Sequence, residues 1–548
     1  MEYKSPLDML YHWESVNPDK VYLRQPIDDI WHTWTWAQAA DEIRRMAAAL
    51  KAMGLPPNSH IAMISKNCAH WILCDLAIML SGHISVPLYP NLIASSIKQI
   101  LEHCNPALLF VGKLDDWQSM KPGVPEGLTC ISFPFYPHPE YENWNDIISK
   151  YPPLKENIKR SPEEMATIIY TSGTTGMPKG VQHKFYSFCF TTSHALPYLG
   201  FTNNERFFSY LPLSHIAERI LVEMGSIYSC GEVYFAETLE KFPKNLAEAK
   251  PTIFLGVHRI WKKFQQGILS KIPQNKLNVL LKIPIISGII KKKIKTGLGL
   301  AEAKNIFTGA APTPVALIKW FETVGIKIQE AYAMTENCCY SHVTHSKNIK
   351  IGYVGQALPA CEVKLDEDNE ILIRHDAMMM GYYKEPDTTK EAFTTDGFLR
   401  TGDEGFIDKE GFLQITGRVK DLFKTSKGKY IAPSPIEMKI SGYTDLEFVC
   451  IVGPGLSQPI ALVTLSETGK KKGKEELGIT LNEILAVLNP TLNSYEQLAK
   501  IVVLNDEWTV ENHMLTPSFK IKRSNVDKKY AAKYEQWLSR EGLLIWEN

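Results

Sequence analysis

The densest chemistry in the chain lies at 169–181, which reads IYTSGTTGMPKGV. One residue after the apolar pair Ile168 and Ile169, the residues Thr171, Ser172, Gly173, Thr174, Thr175 and Gly176 put hydroxyls and open backbone N–H groups into one turn. Glycine lets a backbone come close to a ligand, and successive N–H groups form an anion-binding concavity. Lys179 adds a mobile positive charge, with Pro178 stiffening its approach. The spacing disfavours a Walker loop, whose lysine is followed by Ser or Thr and opens a helix, because Gly180 follows here. The chemistry indicated is the wrapping of phosphate groups.

TSGTTGMPKG resembles the signature loop of the adenylate-forming family, which includes acyl-CoA synthetases, peptide-synthetase adenylation domains and beetle luciferases. The resemblance runs from Trp36 to Arg523 with its motifs in family order. That family activates a carboxylate with ATP, so the resemblance implies an ATP-dependent ligase. Three stretches look like the long-chain fatty acyl-CoA synthetase branch: AKPTIFLGVHRIWKKF at 249–264, TSKGKYIAPSPIE at 425–437 and Phe519 before Lys520.

Further roles follow from the resemblance, each suited to its residue. In IFTGAAP, the small residues Gly309, Ala310, Ala311 and Pro312 permit close approach to a flat ligand and form a wall of the adenine site. In EAYAMTEN, Tyr332 stacks on adenine, Thr335 contacts phosphate and Glu336 ligates magnesium: a ring face, a hydroxyl and a hard oxygen. Asp403 accepts from the ribose hydroxyls, and Arg418 reaches ribose or phosphate. Thr335 and His215 join the catalytic set that the resemblance implies; the bland alternative for His215, in YLPLSHIAER, to a catalytic residue of the pocket-lining segment is a satisfied structural histidine. Lys520, in LTPSFKIKR, is the expected catalytic lysine, and Lys420 the expected hinge. Gly428 lies in the loop that would meet the thiol of coenzyme A, where Lys427 replaces a common second glycine. Ala333 likewise stands where glycine is frequent. The implied reaction turns a long-chain fatty acid, ATP and coenzyme A into acyl-CoA through acyl-AMP, with Mg2+ on the nucleotide. The alternatives are a fatty acyl-AMP ligase or aryl-CoA ligase, and a nucleotide-binding scaffold without catalysis.

The elements that must position these residues are legible as an alternation. A helix over 36–53 starts at Thr35 with Gln38 at capping-box spacing, presents Ile43, Met46, Ala47 and Leu50 on one face, and stops at Gly54. A strand over 60–64, a helix over 69–81, a strand over 84–86, a helix over 95–103 and a strand over 107–111 follow. This predicts an α/β protein with mostly parallel sheets flanked by helices. Residues 117–162, rich in Pro, charge and aromatics, read as connecting structure. At 548 residues the chain exceeds one hydrophobic core. The division expected is an ATP- and acyl-binding domain over 1–417, a hinge at 418–420 and a smaller, mobile α+β lid domain over 421–548.

Sixty basic residues balance sixty acidic ones, so no global field favours nucleic acid. Ten scattered cysteines without Cys-x-x-Cys suit reduced thiols and a cytoplasmic location. No stretch reads as a membrane span. At 279–295, VLLKIPIISGIIKKKIK, two readings stay open: a peripheral contact with an anionic membrane, or two short helices split by Pro284 with a solvated basic end. Oligomeric state is not encoded in any motif.

Overall fold

A computed structural model describes residues 2–136, 138–172 and 178–547. Two large sheets organise the first four hundred residues. One sheet runs, in spatial order, Gly381–Tyr382, Pro178–Lys184, Met165–Ser172, Ile84–Leu88, His60–Ile64, Leu108–Val111, Cys130–Ser132 and Glu142–Asn143. Its pairings are parallel except for the first three strands, which are antiparallel to one another. The other sheet has the parallel core Gln329–Tyr332, Asn305–Thr308, Ile253–Leu255, Arg206–Ser209, Glu232–Phe235 and Val21–Ile27, with antiparallel strands at both edges.

Strands buried on both faces must be apolar where they are buried, and Leu108–Val111 and the four buried residues after His60 in His60–Ile64 are. The helix Trp36–Ala52 starts as its sequence predicts: Thr35 accepts from the Gln38 backbone while Gln38 reaches back to the Thr35 N–H. Ile43, Met46, Ala47 and Leu50 are fully buried. The helix Ala69–Leu80 is buried on every face and packs between elements of the main core.

That helix carries Asp75 at zero exposure, matched by Arg219 at zero exposure. Arg219 Nη2 donates to both Asp75 oxygens at 2.7 and 2.6 Å, and Nη1 donates to Thr167 at 2.6 Å. Glu223 lies 3.3 Å from Arg219 Nε, and burial together with neighbouring Asp75 pushes its carboxyl well above the usual range. The ion pair fixes the wide helical turn Arg219–Met224, which follows the His215 motif, against the first sheet.

One expectation is corrected. The stretch 117–162 is not only connecting chain: Cys130–Ser132 and Glu142–Asn143 extend the first sheet, and the helix Trp144–Lys150 caps it. Strands of two and three residues are too short to show a period-two pattern. Trp144, fully buried, donates its indole N–H to Glu42. Upstream of 36 the chain also forms the helix Pro6–Val16 and the hairpin Val21–Ile27 with Ile30–Thr35, turning through Asp28 and Asp29 at φ 49 and 67. Left-handed conformation at both central residues is what a tight hairpin turn requires.

The strands Leu399–Ile407 and Leu413–Arg418 form a hairpin within a four-stranded sheet, with Asp408 accepting from the Glu410 and Phe412 N–H groups in the turn. Beyond it, Leu446–Val452, Ile460–Leu465, Lys500–Val503 and Leu544–Trp546 make a separate sheet, covered by the helices Lys474–Leu488 and Arg523–Ser539. The smaller C-terminal part is therefore α+β. No described helix is long and apolar enough to cross a membrane.

Candidate active site

The segments flanking the signature loop are paired strands, so no helix follows it as in a Walker loop. Met165–Ser172 pairs antiparallel with Pro178–Lys184, bringing Thr171 opposite Lys179. Gly173, Thr174, Thr175 and Gly176 lie outside the described residues, as does the side chain of Ser172. The ammonium of Lys179 sits 4.9 Å from the centroid of the Tyr382 ring. Tyr382 belongs to the edge strand Gly381–Tyr382 and lies opposite Val181. Its hydroxyl donates to Glu336 Oε1 at 2.9 Å. A tyrosine absent from the motif analysis thus joins Lys179 to Glu336 across 157 positions of chain.

The second sheet supplies the opposite wall. Ile253–Leu255, Asn305–Thr308 and Gln329–Tyr332 are parallel neighbours, so their carboxyl ends emerge side by side. In open α/β sheets, ligands sit off those ends. Out of them come 256–258, the small residues Gly309, Ala310, Ala311 and Pro312, and the Tyr332–Glu336 stretch. A Cβ on Gly309 would stand 3.1 Å from the Ala331 carbonyl, and Ala310 turns at φ 62. Ala310, Ala311 and Pro312 are exposed on this rim. Thr335 is buried, and its carbonyl accepts from His183 Nε2 at 2.8 Å. Burial pushes His183 down to about 4, so its ring is neutral and ties the hairpin to the Glu336 segment.

The 399–418 hairpin brings the next pair. Asp403 and Arg418 are register partners, and Arg418 Nε donates to Asp403 Oδ1 at 2.8 Å. Tyr332 donates its hydroxyl to the other Asp403 oxygen, Oδ2, at 2.8 Å. Both oxygens of Asp403 are therefore engaged, and Tyr332 is held beside it.

Lys520 enters from the C-terminal part. Enclosure by protein pulls its ammonium below the ordinary 10.5; Arg418 pushes the same way, while Asp403 and Glu336 oppose. Those three groups and Lys520 are thus within electrostatic reach of one another. Lys520 is nonetheless exposed to solvent. A solvent-exposed ammonium within electrostatic reach of Arg418, Asp403 and Glu336 marks the space between the two parts as the candidate cleft. His215 has the same double character, enclosed yet half-accessible, and enclosure followed by Lys520 lowers it to about 4. Its Nδ1 accepts from the Ala217 N–H at 3.1 Å, and its ring meets Tyr89 edge-on at 6.4 Å. A neutral imidazole at neutral pH suits a pocket lining better than proton transfer.

Lys179, Glu336, Tyr332, Asp403, Arg418, Lys520 and His215, spread over more than 340 positions, converge on this cleft. Lys420, exposed in the short helical turn Val419–Asp421, stands outside it. So does Gly428, at φ 76 in the turn between Phe423–Lys424 and Tyr430–Ile431. At the two positions where the family favours glycine, Ala333 and Lys427 have ordinary backbone angles and need no glycine. Phe519 does not: it sits at φ 59, next to Lys520.

The family model described as AMP-binding enzyme matches residues 10–383, and that of the AMP-binding enzyme C-terminal domain matches 420–541. The chain belongs to the AMP-binding enzyme family. Among its curated relatives, a long-chain-fatty-acid–CoA ligase of Mycobacterium tuberculosis is 25% identical and aligned over 98% of both chains. Fatty acyl-CoA synthetase A of Dictyostelium discoideum is 27% identical, over 90% of this chain and 84% of its own. The crystal structure of the anthranilate CoA ligase AuaEII with anthranoyl-AMP superposes with a TM-score of 0.80 at 21% identity, covering 98% of each chain. That likeness fixes the fold of this AMP-binding enzyme.

Proposed function

We propose that this AMP-binding enzyme is an AMP-forming acid–thiol ligase that converts a long-chain fatty acid, ATP and coenzyme A to acyl-CoA, AMP and pyrophosphate. The observation that carries the reading is the convergence of Lys520 with Glu336, Asp403 and Arg418 in one wet cleft. In the first half-reaction a carboxylate oxygen attacks the α-phosphorus of ATP, a P–O bond forms, and the bond to pyrophosphate breaks. Lys520 bridges the attacking carboxylate and the α-phosphate, neutralising charge that accumulates there. Tyr332 offers its ring face to adenine, Asp403 accepts from the ribose hydroxyls, and Arg418 holds ribose or phosphate. The 171–179 turn and Lys179 grip the leaving phosphates, and Thr335 adds a contact from its own segment. His215 lines the acyl pocket.

The residues fit a magnesium ion carried by the nucleotide. Glu336 is a single carboxylate with one hydrogen bond, from Tyr382, and no cluster of three or more acidic, His or Cys side chains forms a metal cage among the described residues. Mg2+ is usually held by one or two carboxylates together with substrate phosphates, where it neutralises phosphate charge. In the second half-reaction the thiol of coenzyme A attacks the acyl carbon, the bond to AMP breaks, and the thiol proton leaves to solvent. Lys520 has no part in that geometry, so the C-terminal part over 421–548 turns about Lys420 and brings the Gly428 loop to the thiol.

The location that fits is the cytoplasm, with peripheral contact to an anionic membrane through 279–295. All ten cysteines are free. Positions 249–301 hold eleven basic residues and no Asp or Glu, in a chain whose net charge is zero. The helices Gln274–Lys282 and Pro284–Gly297 expose Val279, Ile285 and Ile289 at 59, 81 and 61% beside lysines that pair with no acid among the described residues. Exposed aliphatics among lysines match a lipid surface better than nucleic acid, which offers nothing for the isoleucines. Flotation with phosphatidylcholine vesicles, with and without phosphatidylglycerol, tests it: the protein floats with the anionic vesicles and Ile285→Asp/Ile289→Asp releases it. Equal flotation of both proteins, or retention on duplex DNA in place of vesicles, refutes the contact.

The reaction itself is tested by pyrophosphate release from ATP across a panel of acids, with and without coenzyme A. Long-chain acids give turnover that depends on coenzyme A. Turnover only with aromatic acids, or acyl-AMP with no thioester, would move the enzyme to another ligase class, and ATP binding without pyrophosphate would make it a scaffold.

A further inference from the structure

The helix His258–Leu269 begins where the strand Ile253–Leu255 leaves the second sheet, beside the cleft. Two of its cations point away from that sheet and into the C-terminal part. Lys262, only 9% exposed, donates from Nζ to the Leu446 carbonyl at 2.7 Å and to the Ser441 carbonyl at 3.2 Å. Arg259 places its guanidinium 4.4 Å from the Phe448 ring centroid and 5.4 Å from that of Phe519, with Nη2 at 3.6 Å from Glu447. At the Lys520 turn itself, Asn91 donates to the Pro517 carbonyl at 2.9 Å.

These contacts bear on Lys520 through the shape of its turn. Thr516 accepts at Oγ1 from the Lys520 N–H at 3.0 Å, and the Phe519 N–H closes onto the Thr516 carbonyl at 2.7 Å. The closure puts Phe519 in left-handed conformation, which is unfavourable for a bulky residue and is kept only where surroundings over-determine it. Arg259 above the ring and Asn91 behind the proline supply that constraint, and both belong to the N-terminal part. The turn that carries Lys520 is therefore gripped by residues that are not its own domain's.

We infer that Arg259 and Lys262 are positioning residues for adenylate formation: they clamp the C-terminal part in the orientation that puts Lys520 in the cleft, and they must let go before the thiol can react. The inference rests on the proposed two-step ligase reading. The chemistry of the grip suits reversal. Lys262 donates to two backbone carbonyls, which water can serve equally well when the domains part, and Arg259 meets aromatic faces, one carboxylate and no buried anion. Desolvation at the joint lowers Lys262 to about 8, so docking strips water from a cation and does not come free. A clamp of this kind is strong enough to bias the docked state and weak enough to open in each cycle.

The test is single-turnover kinetics of the full-length enzyme on both half-reactions, with palmitate and Mg-ATP for the first and preformed palmitoyl-AMP and coenzyme A for the second. Lys262→Met removes two hydrogen bonds from a charged donor and slows acyl-AMP formation about ten- to a hundred-fold. Thioester formation from palmitoyl-AMP stays within about two-fold, because release precedes that step. Lys262→Arg, which keeps donors for the two carbonyls, recovers most of the first rate. Glu447→Gln, on the partner face and remote from the reacting atoms, gives a smaller loss of the same sign and guards against a folding defect. Equal slowing of both half-reactions, or no slowing of either, overturns the clamp. A wild-type enzyme that releases no pyrophosphate would instead overturn the ligase reading on which it rests.

Discussion

Replacing Asp75 by Asn probes the buried ion group that holds the His215 segment against the first sheet. Asp75 and Arg219 are at zero exposure, and asparagine keeps the shape while withdrawing the negative charge. Breaking a buried pair in this way costs about 3–5 kcal/mol, because a charge is left without its counterpart. Here a substitute is at hand. Glu223 is held protonated by burial and by Asp75; with Asp75 gone it ionises and takes over Arg219, which is already 3.3 Å away. Asp75→Asn should therefore fall at the low end, about 3 kcal/mol, and Glu223→Gln alone below about 1 kcal/mol, since a neutral acid becomes a neutral amide. The double variant leaves Arg219 with no anion and should lose more than about 5 kcal/mol, a coupling of about 1–2 kcal/mol. Urea unfolding followed by tryptophan fluorescence measures this, because the Arg219 guanidinium lies 5.7 Å from the Trp71 ring centroid. The sign of the pH dependence is also set. An acid whose folded value is raised above 4.5 holds a proton that the unfolded chain releases, so wild-type stability declines as pH rises from 4.5 through that value. Glu223→Gln makes this decline shallower, leaving the share of Glu218 and Glu330, which burial raises to about 8 and about 7. Strictly additive losses, or an unchanged slope in Glu223→Gln, would show that the two carboxyls do not share Arg219.

Tyr382→Phe frees Glu336 and leaves the ring under Lys179; the lost hydrogen bond to a carboxylate raises KM for Mg-ATP about ten-fold while KM for the fatty acid is unchanged, read from initial rates. The alkaline limb of kcat/KM for adenylation falls below the 10.5 of a solvated lysine, because Lys520 acts only while charged and its enclosure favours the neutral form. Lys520→Arg moves whatever activity remains to higher pH, and a limb unmoved by that change assigns it to another group.

Local signals in the chain found local structure. The capping pair Thr35 and Gln38 and the apolar face behind it specify the helix Trp36–Ala52, and the apolar run at 60–64 specifies its strand. The family order of motifs named Lys179, Tyr332, Glu336, Asp403, Arg418 and Lys520, and folding collects them in one cleft. What stayed hidden depends on partners far along the chain. Asp75 reads only as an interruption of an apolar stretch until Arg219, 144 positions on, supplies its reason. Tyr382 sits on a two-residue strand whose pairing with Pro178–Lys184 has no local periodicity to reveal it. The left-handed backbone at Phe519 runs against residue preference and shows only in the folded chain, together with the Arg259 contact that offsets it.

On the proposed two-step reaction, Lys520 serves the adenylation step from a cleft that the thioester step does not use. Lys520→Ala, measured separately on acyl-AMP formation from palmitate and ATP and on thioester formation from preformed palmitoyl-AMP, tests it most directly. The first rate is abolished and the second largely spared. Equal loss of both half-reactions, or an unimpaired first step, would contradict it.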